Sequence, residues 1–227
     1  MFETTTGPVR VITAASLFDG HDAAINVMRR LIQSSGAEVI HLGHDRSAKD
    51  VVDCAVQEDA HAVALTSYQG GHMEYFTYIR QLLDEAGCGH IRIFGGGGGT
   101  ITPPEIRDLH KSGISKIYSP DDGRKMGLMG MIHDLMGTAS KVDLIGESRI
   151  QSLNGPITAD DMAKVGLLMT LSESASADEF QATLDRVRSS DNDVPVIGFT
   201  GTGGAGKSSL LDELMLRILR DNPDKKI

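Results

Sequence analysis

The chain has 227 residues, of which 40% are hydrophobic and 23% are charged, values that suit a globular protein of one or two domains. Its net charge of −9 argues against a nucleic-acid-binding surface, because such a surface needs a positive field. No apolar run reaches membrane-spanning length, and Met1–Arg10 lacks the pattern of a signal peptide. Cys54 and Cys88 form no CxxC motif, so we expect reduced thiols in a cytoplasmic protein.

Short apolar segments alternate with amphipathic segments up to about residue 137. The predicted strands are Val9–Ala15, Glu38–Leu42, Ala62–Thr66, Ile91–Phe94 and Lys116–Tyr118. The predicted helices lie near Ala23–Ser35, Ala48–Gln57, Met73–Ala86, Pro104–Lys111 and Gly123–Met136, with Gly36 at a C-cap-like position after the first. Five β-α units of this length predict an α/β fold with a five-stranded parallel sheet, flavodoxin-like, in the order 2-1-3-4-5. In such a sheet, ligands bind beyond the carboxyl ends of the strands.

Residues 1–137 are therefore predicted to be one domain, and residues 138–192 a helical linker without strands. Helices are expected in the linker at Asp160–Thr170 and Ala177–Ser190. Residues 193–227 then begin a second domain.

That second domain opens with a strand, a phosphate-binding loop and a helix within residues 194–220. The expected nucleotide-binding residues are Gly201, Gly203, Gly204, Ala205, Gly206, Lys207, Ser208 and Ser209. The loop amides and Lys207 would hold the phosphates, and Ser208 would bind Mg²⁺. Because only a few residues follow the helix, we expect an incomplete GTPase domain of a longer protein. The loop is not expected to bind nucleotide within these 227 residues.

The loop after the first strand carries a candidate metal ligand, His21, immediately before a predicted helix. Asp19 could accept a proton from one ring nitrogen and leave the other free to coordinate. Taken alone, an exposed loop histidine or a helix-capping pair is the commoner explanation. However, the glycine-rich loops 67–72 and 95–100 end at the same sheet edge, and five consecutive glycines let a large group approach the backbone.

These segments resemble the cobalamin-binding domain of B12-dependent mutases and methionine synthase, over roughly Pro8–Met136. The fingerprint D-x-H-x-x-G, then S-x-L, then G-G is matched except that Ala24 replaces Gly and Gln69 replaces Leu. The resemblance implies that His21 coordinates cobalt, with Asp19 behind it. The cofactor-binding residues that it implies are Asp19, Gly20, His21, Ser67, Gln69, Gly96, Gly97 and Ser119. A response-regulator or flavin domain is the structural alternative, and a flavin would leave His21 and the glycines unexplained.

A cobalamin domain followed by a P-loop resembles the order in the fused isobutyryl-CoA mutases. That resemblance implies an adenosylcobalamin-dependent isomerase that interconverts isobutyryl-CoA and n-butyryl-CoA, fused to a GTPase chaperone domain that uses Mg²⁺ and GTP. It also implies acyl-CoA binding by a separate barrel domain, a homodimer, and no activity of this chain alone. Three alternatives remain: a cobalamin subunit of a methylmalonyl-CoA mutase-type enzyme, a free-standing cobalamin carrier or sensor, and a P-loop chaperone with a B12-like regulatory domain.

Overall fold

The computed structural model describes residues 7–158, 160–188 and 196–224. The chain divides into two compact units, Met1–Ser189 and Ser190–Ile227. The first unit holds a five-stranded sheet with strands β1 (Arg10–Ser16), β2 (Glu38–Arg46), β3 (Ala62–Thr66), β4 (Arg92–Gly96) and β5 (Lys116–Tyr118). All paired strands are parallel, and their order β2-β1-β3-β4-β5 confirms the predicted topology.

Helices follow each strand and cover both faces of the sheet. They are α1 (Asp22–Ser34), α2 (Ala48–Gln57), α3 (His72–Glu85), α4 (Pro103–Lys111) and α5 (Pro120–Ala139). Helices α2, α3 and α4 pack on one face around Ile12, Val63, Leu65 and Ile93. Helices α1 and α5 pack on the opposite face, where Ala62, Ala64 and Phe94 contribute to the core. The alternation of side chains along each strand separates these two cores. Within the described ranges, no helix combines the length and apolar character needed to cross a membrane.

Within residues 1–137, three elements differ from their predicted bounds by two residues or more. Strand β2 continues past Leu42 to Arg46, because an edge strand tolerates polar residues that look like a loop in sequence. Strand β4 includes Gly95 and Gly96, which were expected in the following loop. Helix α5 begins at Pro120, since Ser119 and Asp122 form a capping box, and its backbone is kinked at Gly127.

The predicted linker contains three helices, α6 (Glu147–Ser152), α7 (Met162–Ser174) and α8 (Ala177–Val187), of which α6 was not expected. These helices share a small apolar core and lie in the same compact unit as the sheet. An ion pair ties them to the α2–β3 turn, where Arg149 Nη2 lies 2.6 Å from Oδ1 of buried Asp59. Thr170 Oγ1 donates a hydrogen bond of 2.8 Å to the other oxygen of Asp59.

The second unit contains one helix among its described residues, α9 (Lys207–Asp221), which matches the predicted P-loop helix. The predicted strand within residues 194–200 is not formed at residues 196–200, and residues 194–195 lie outside the described ranges. A strand requires a hydrogen-bonded neighbour, and all five strands of the described chain belong to the first unit.

Candidate functional site

The loop that follows β1 presents a histidine with a buried aspartate behind it. His21 lies directly before α1, and 75% of its side chain is exposed. Oδ1 of the buried Asp19 lies 2.8 Å from Nδ1 of His21. Because a carboxylate only accepts hydrogen bonds, Nδ1 carries a proton, and in the neutral imidazole Nε2 keeps a lone pair. This arrangement prepares His21 to coordinate a metal through Nε2.

Backbone N–H groups hold Asp19 in its ionised form. Tyr68 N donates to Oδ2 at 2.6 Å, and His21 N donates to Oδ1 at 2.9 Å. Burial by itself would raise the pKa of Asp19, but these donors and the His21 ring hold that pKa below its ordinary value. Asp19 therefore joins the β1 loop to the β3 loop and fixes the imidazole at the same time.

Hydrogen bonds with the end of β2 and with the β3 loop hold the β1 loop in place. Phe18, at a φ of 63°, donates its backbone N–H to Oδ1 of Asp45 at 2.7 Å. Gln69 Nε2 donates to the carbonyl oxygen of Leu17 at 3.0 Å, and Gln69 Oε1 accepts from Gly71 N at 2.9 Å. Gln69 was predicted to bind cofactor, which stays a prediction, and in the structure its amide connects the β1 and β3 loops. A leucine, which the fingerprint has at this position, could not make these hydrogen bonds.

Close packing requires glycine at two positions of the glycine run. A Cβ atom on Gly95 would lie 2.4 Å from the ring of Phe76, and one on Gly97 would lie 1.9 Å from the carbonyl oxygen of Ser67. Ser67 is itself buried, and its Oγ accepts a hydrogen bond of 2.9 Å from Ser16 Oγ. Ser67 and Gly97 thus set the spacing of the two loops beside His21.

A cavity of about 470 Å³ opens between α1, α5 and the sheet, and this volume lies within the usual range for ligand pockets. Ala64, Thr66, Phe94, Gly96 and Tyr118 alternate along β3, β4 and β5 and form its floor. The walls are mostly apolar and come from Ala24, Ile25, Val27, Met28, Ile32, Leu128, Met131, Ile132 and Leu135. The small side chains of Ala64, Thr66 and Gly96 in this floor leave room for a flat or elongated group.

Helix α1 and the β3 loop connect this cavity to His21. Ala24 lies about one helical turn after His21 and lines the cavity. The replacement of the fingerprint glycine by alanine therefore changes the lining of the cavity. Tyr68 also lines the cavity, and its ring centroid lies 5.5 Å from that of His21. A ligand that reaches from His21 into the cavity would pass Tyr68.

The structure also places the remaining predicted site residues. Gly20 is exposed between Asp19 and His21. Gly96, Gly97 and Ser119 line the cavity, and Ser119 Oγ donates a hydrogen bond of 2.6 Å to Asp122 in the first turn of α5. These residues therefore meet at one end of the sheet, as predicted.

Sequence reasoning missed Thr66 and Tyr68 as site residues. Thr66 precedes Ser67 in the fingerprint, and period-2 alternation from buried Ala62 and Ala64 could have placed its side chain on the α1–α5 face. No sequence signal indicates that Tyr68 N donates to Asp19, because that contact joins two loops.

The P-loop residues belong to the second unit. Lys207 Nζ donates to the carbonyl oxygens of Gly201 and Thr202 at 2.9 and 2.8 Å. Gly204 and Gly206 have φ values of 76° and 79°, which glycine adopts without strain. Gly203, Ala205, Ser208 and Ser209 are exposed, and none of the residues of α9 is buried.

Residues 9–119 match the family model described as the B12 binding domain. A fused isobutyryl-CoA mutase from Geobacillus kaustophilus (strain HTA426) is 49% identical over 226 residues, covering 96% of this chain and 20% of that protein. A fused isobutyryl-CoA mutase from Nocardia farcinica (strain IFM 10152) is 52% identical over 219 residues, with the same two coverages. The 2-hydroxyisobutanoyl-CoA mutase small subunit of Aquincola tertiaricarbonis is 32% identical over 115 residues, covering 50% of this chain and 82% of that protein.

The chain spans about a fifth of the length of the two fused mutases it matches. The matched residues 9–119 include the Asp19–His21 pair, the paired loops at Ser67 and Gly97, and Ser119. The chain therefore belongs to the B12-binding domain family, and the fused isobutyryl-CoA mutases are its relatives along nearly its whole length.

Proposed function

We propose that this chain is the adenosylcobalamin-binding part of an acyl-CoA mutase that interconverts isobutyryl-CoA and n-butyryl-CoA. The observation that carries the proposal is the Asp19–His21 pair beside a mostly apolar cavity. The names of the fused relatives support the substrate. Because the chain spans a fifth of their length, acyl-CoA binding and isomerisation belong to the complete protein, and we expect this chain alone to be inactive.

The chemistry of the site fits cobalamin. The corrin ring would itself supply most of the nitrogen ligands of cobalt, so a single imidazole nitrogen from the protein, Nε2 of His21, would be enough to hold the metal. A bare metal ion would need several protein ligands, and the described residues include no suitable group of three His, Cys, Asp or Glu side chains. Gly96, Gly97 and Gly98 leave part of the cavity lining without side chains, which suits the nucleotide tail of the cofactor.

Each residue then has a defined task. When bound, adenosylcobalamin supplies radical chemistry through its cobalt–carbon bond. His21 would coordinate the cobalt through Nε2, while Asp19 would keep the proton on Nδ1 and hold the plane of the ring. The apolar side chains of α1 and α5 exclude water from the tail.

A second candidate is a cobalamin-binding small subunit that works with a separate large subunit. The observation in its favour is the match to the Aquincola small subunit over 82% of that protein. That match covers 50% of this chain, whereas the fused mutases match 96% of it and include the P-loop region. The fused arrangement is therefore the better proposal.

We also propose that the P-loop works as a Mg²⁺- and GTP-binding site only in the complete protein. The support is the exposed helix α9, on which Leu210, Leu211, Leu216 and Leu219 are 42–60% exposed. In a folded P-loop domain these side chains would pack on a sheet. Lys207→Ala should abolish GTP hydrolysis by the complete protein and leave isomerisation by preloaded holoenzyme largely intact. Tight Mg²⁺-dependent GTP binding by the present chain would contradict this proposal.

Electron paramagnetic resonance of Co(II) cobalamin tests the role of His21. A single ¹⁴N axial ligand splits the cobalt lines into three, and a ¹⁵N ligand splits them into two. When the chain is grown with ¹⁵N-histidine, we expect each cobalt line to be split in two. His21→Ala should lose this two-line splitting. His44→Ala, which replaces an exposed histidine of β2, should behave like the unaltered chain. A three-line spectrum from the labelled chain would mean that the benzimidazole stays bound.

A further inference from the structure

The β1 loop begins with a tight turn that its own sequence does not favour. Asp19 N donates a hydrogen bond of 3.0 Å to the carbonyl oxygen of Ser16, so residues 16–19 form a β-turn. Phe18, at the third position of the turn, has a φ of 63°, whereas the φ of Leu17 is not positive. This combination marks a type II turn, whose third position favours glycine or asparagine. Phenylalanine is strained there, because at positive φ its side chain crowds the backbone.

The peptide group between Leu17 and Phe18 is held at both of its polar atoms. Its N–H, from Phe18, donates to Oδ1 of Asp45 at 2.7 Å. Its carbonyl oxygen, from Leu17, accepts from Nε2 of Gln69 at 3.0 Å. Because the peptide group is planar, its N–H and C=O point in opposite directions and turn together. Asp45 and Gln69, which we call the clamp, therefore fix the orientation of this one peptide group.

The clamp decides between two forms of the turn. Rotation of the Leu17–Phe18 peptide by roughly half a turn would convert type II into type I, whose third position has a negative φ. Phenylalanine adopts a negative φ without strain, so the local sequence favours the rotated form. Rotation would break both hydrogen bonds and bring the Leu17 carbonyl oxygen toward the Asp45 carboxylate. The observed turn therefore depends on the two clamp side chains.

Both clamp side chains are themselves anchored. Asp45 lies near the end of β2 and has a φ of 55°, which aspartate tolerates better than most residues. Its neighbour Arg46 accepts a hydrogen bond of 2.9 Å at its carbonyl oxygen from the hydroxyl of buried Tyr75 in α3. Gln69 Oε1 accepts from Gly71 N at 2.9 Å, which orients the Gln69 amide. The clamp is thus held by contacts outside the turn.

We propose that Asp45 and Gln69 are positioning residues for His21, because they lock the turn that leads into the Asp19–His21 pair. The inference rests on the proposed function, in which His21 would coordinate cobalt. Asp19 closes the turn with its N–H and lies 2.8 Å from Nδ1 of His21 through its carboxylate. One form of the turn therefore gives the imidazole one orientation. A chain that populates both forms would present His21 in more than one way and bind cobalamin more weakly.

NMR of the chain without cofactor tests the clamp, because backbone scalar couplings of Phe18 report the sign of its φ. We expect a positive φ in the unaltered chain and a negative φ when Asp45→Gly is combined with Gln69→Leu. Glycine is chosen for the first substitution because it adopts the φ of 55° without strain. Asp45→Asn retains an acceptor for the Phe18 N–H and should keep the positive φ. A positive φ in the double variant would overturn the clamp.

Cobalamin titrations of the same variants test the positioning role. Loss of the clamp should weaken binding about tenfold and reduce the share of Co(II) cobalamin whose spectrum is split by ¹⁵N-histidine. Adding Phe18→Gly to the double variant should restore both, because glycine favours the type II turn without help. Phe18→Ala is the matched control, since it removes the ring but still disfavours positive φ, and it should restore neither.

Restoration by Phe18→Ala, or unchanged binding after loss of the clamp, would overturn the positioning role. If the double variant does not fold, Asp45→Gly alone should shift φ and binding in the same directions by smaller amounts, and the same outcomes decide. If the unaltered chain binds no cobalamin, the proposed function fails and the role toward cobalt fails with it. The φ of Phe18 in the cofactor-free chain then still decides whether the clamp sets the turn.

Discussion

Gly97 and Ser67 belong to different loops, yet a methyl group on Gly97 would lie 1.9 Å from the carbonyl oxygen of Ser67. The backbone of the β4 loop is therefore pressed against the backbone of the β3 loop. The β3 loop also contains Tyr68, whose backbone N–H donates a hydrogen bond to Asp19, the partner of His21. Gly97 therefore helps to position His21 through a chain of backbone contacts that passes along the β3 loop to Asp19.

Gly97→Ala should destabilise the fold by about 2–4 kcal/mol, because the two loops must separate to admit a Cβ atom. Urea unfolding followed by circular dichroism measures this change in the free energy of unfolding. Gly99→Ala is the matched control, since a Cβ atom there would have no neighbour within 4 Å. We expect that control to change stability by less than about 0.5 kcal/mol. Equal effects of the two substitutions would show that the loops do not pack as described.

Asp19→Ala should weaken cobalamin binding by about 10- to 100-fold, and by less than His21→Ala does, because Asp19 acts on the cobalt through the imidazole. Binding titrations followed by absorbance measure both variants. Asp22→Ala, in the first turn of α1, is a control that removes a nearby carboxylate without touching the pair. A loss at Asp19 equal to or greater than that at His21 would give Asp19 a direct role.

The ion pair of Asp59 with Arg149 should be important for stability. Burial by itself would raise the pKa of Asp59, but the nearby His90 ring and hydrogen bonds from Arg149 and Thr170 hold that pKa at about 2. Arg149→Leu leaves a buried carboxylate without its cation and should cost roughly 3 kcal/mol. Stability measurements on Arg149→Leu should be compared with Arg124→Ala, which breaks the exposed pair with Asp121.

That exposed pair should contribute less than about 1 kcal/mol, since both of its side chains are at least 67% exposed. If Arg149→Leu is no more destabilising than Arg124→Ala, then α6 is not held to the sheet domain by Asp59.

His61 should make stability fall in mild acid. Burial lowers the pKa of His61 to about 4, and its Nδ1 accepts a hydrogen bond of 3.0 Å from Arg10 N. As the pH falls from about 6.5 to about 4, the unfolded chain takes up a proton that the folded chain refuses, so stability decreases. Allowing for partial exposure of the ring, the decrease should be on the order of 1–2 kcal/mol.

Unfolding free energies at pH 7, 5.5 and 4.5 measure this slope. His61→Asn retains an acceptor but does not titrate, so it should remove this part of the pH dependence. His44→Asn, at an exposed position of β2, should leave the slope unchanged. An unaltered slope in His61→Asn would assign the acid sensitivity to another group.

Local patterns were sufficient to predict the five strands of the sheet and the position of the loop that carries His21. Ala62–Thr66 and Lys116–Tyr118 have the predicted bounds, because short apolar runs between turn residues indicate buried strands. Asp19 and His21 were paired from their spacing alone, since two residues in one loop can reach each other without help from the fold. The sequence by itself therefore determined the order of strands and helices in residues 1–137 and the candidate pair of Asp19 and His21.

Only the tertiary structure decided which distant groups meet. Thr66 lines a cavity because helices α1 and α5 place apolar side chains over the end of β3. Arg149 reaches Asp59 across 90 residues of sequence, and Gln69 turns to Leu17 rather than to the cavity. Such contacts depend on how the layers pack, and packing is set by the sum of many long-range interactions rather than by any local period.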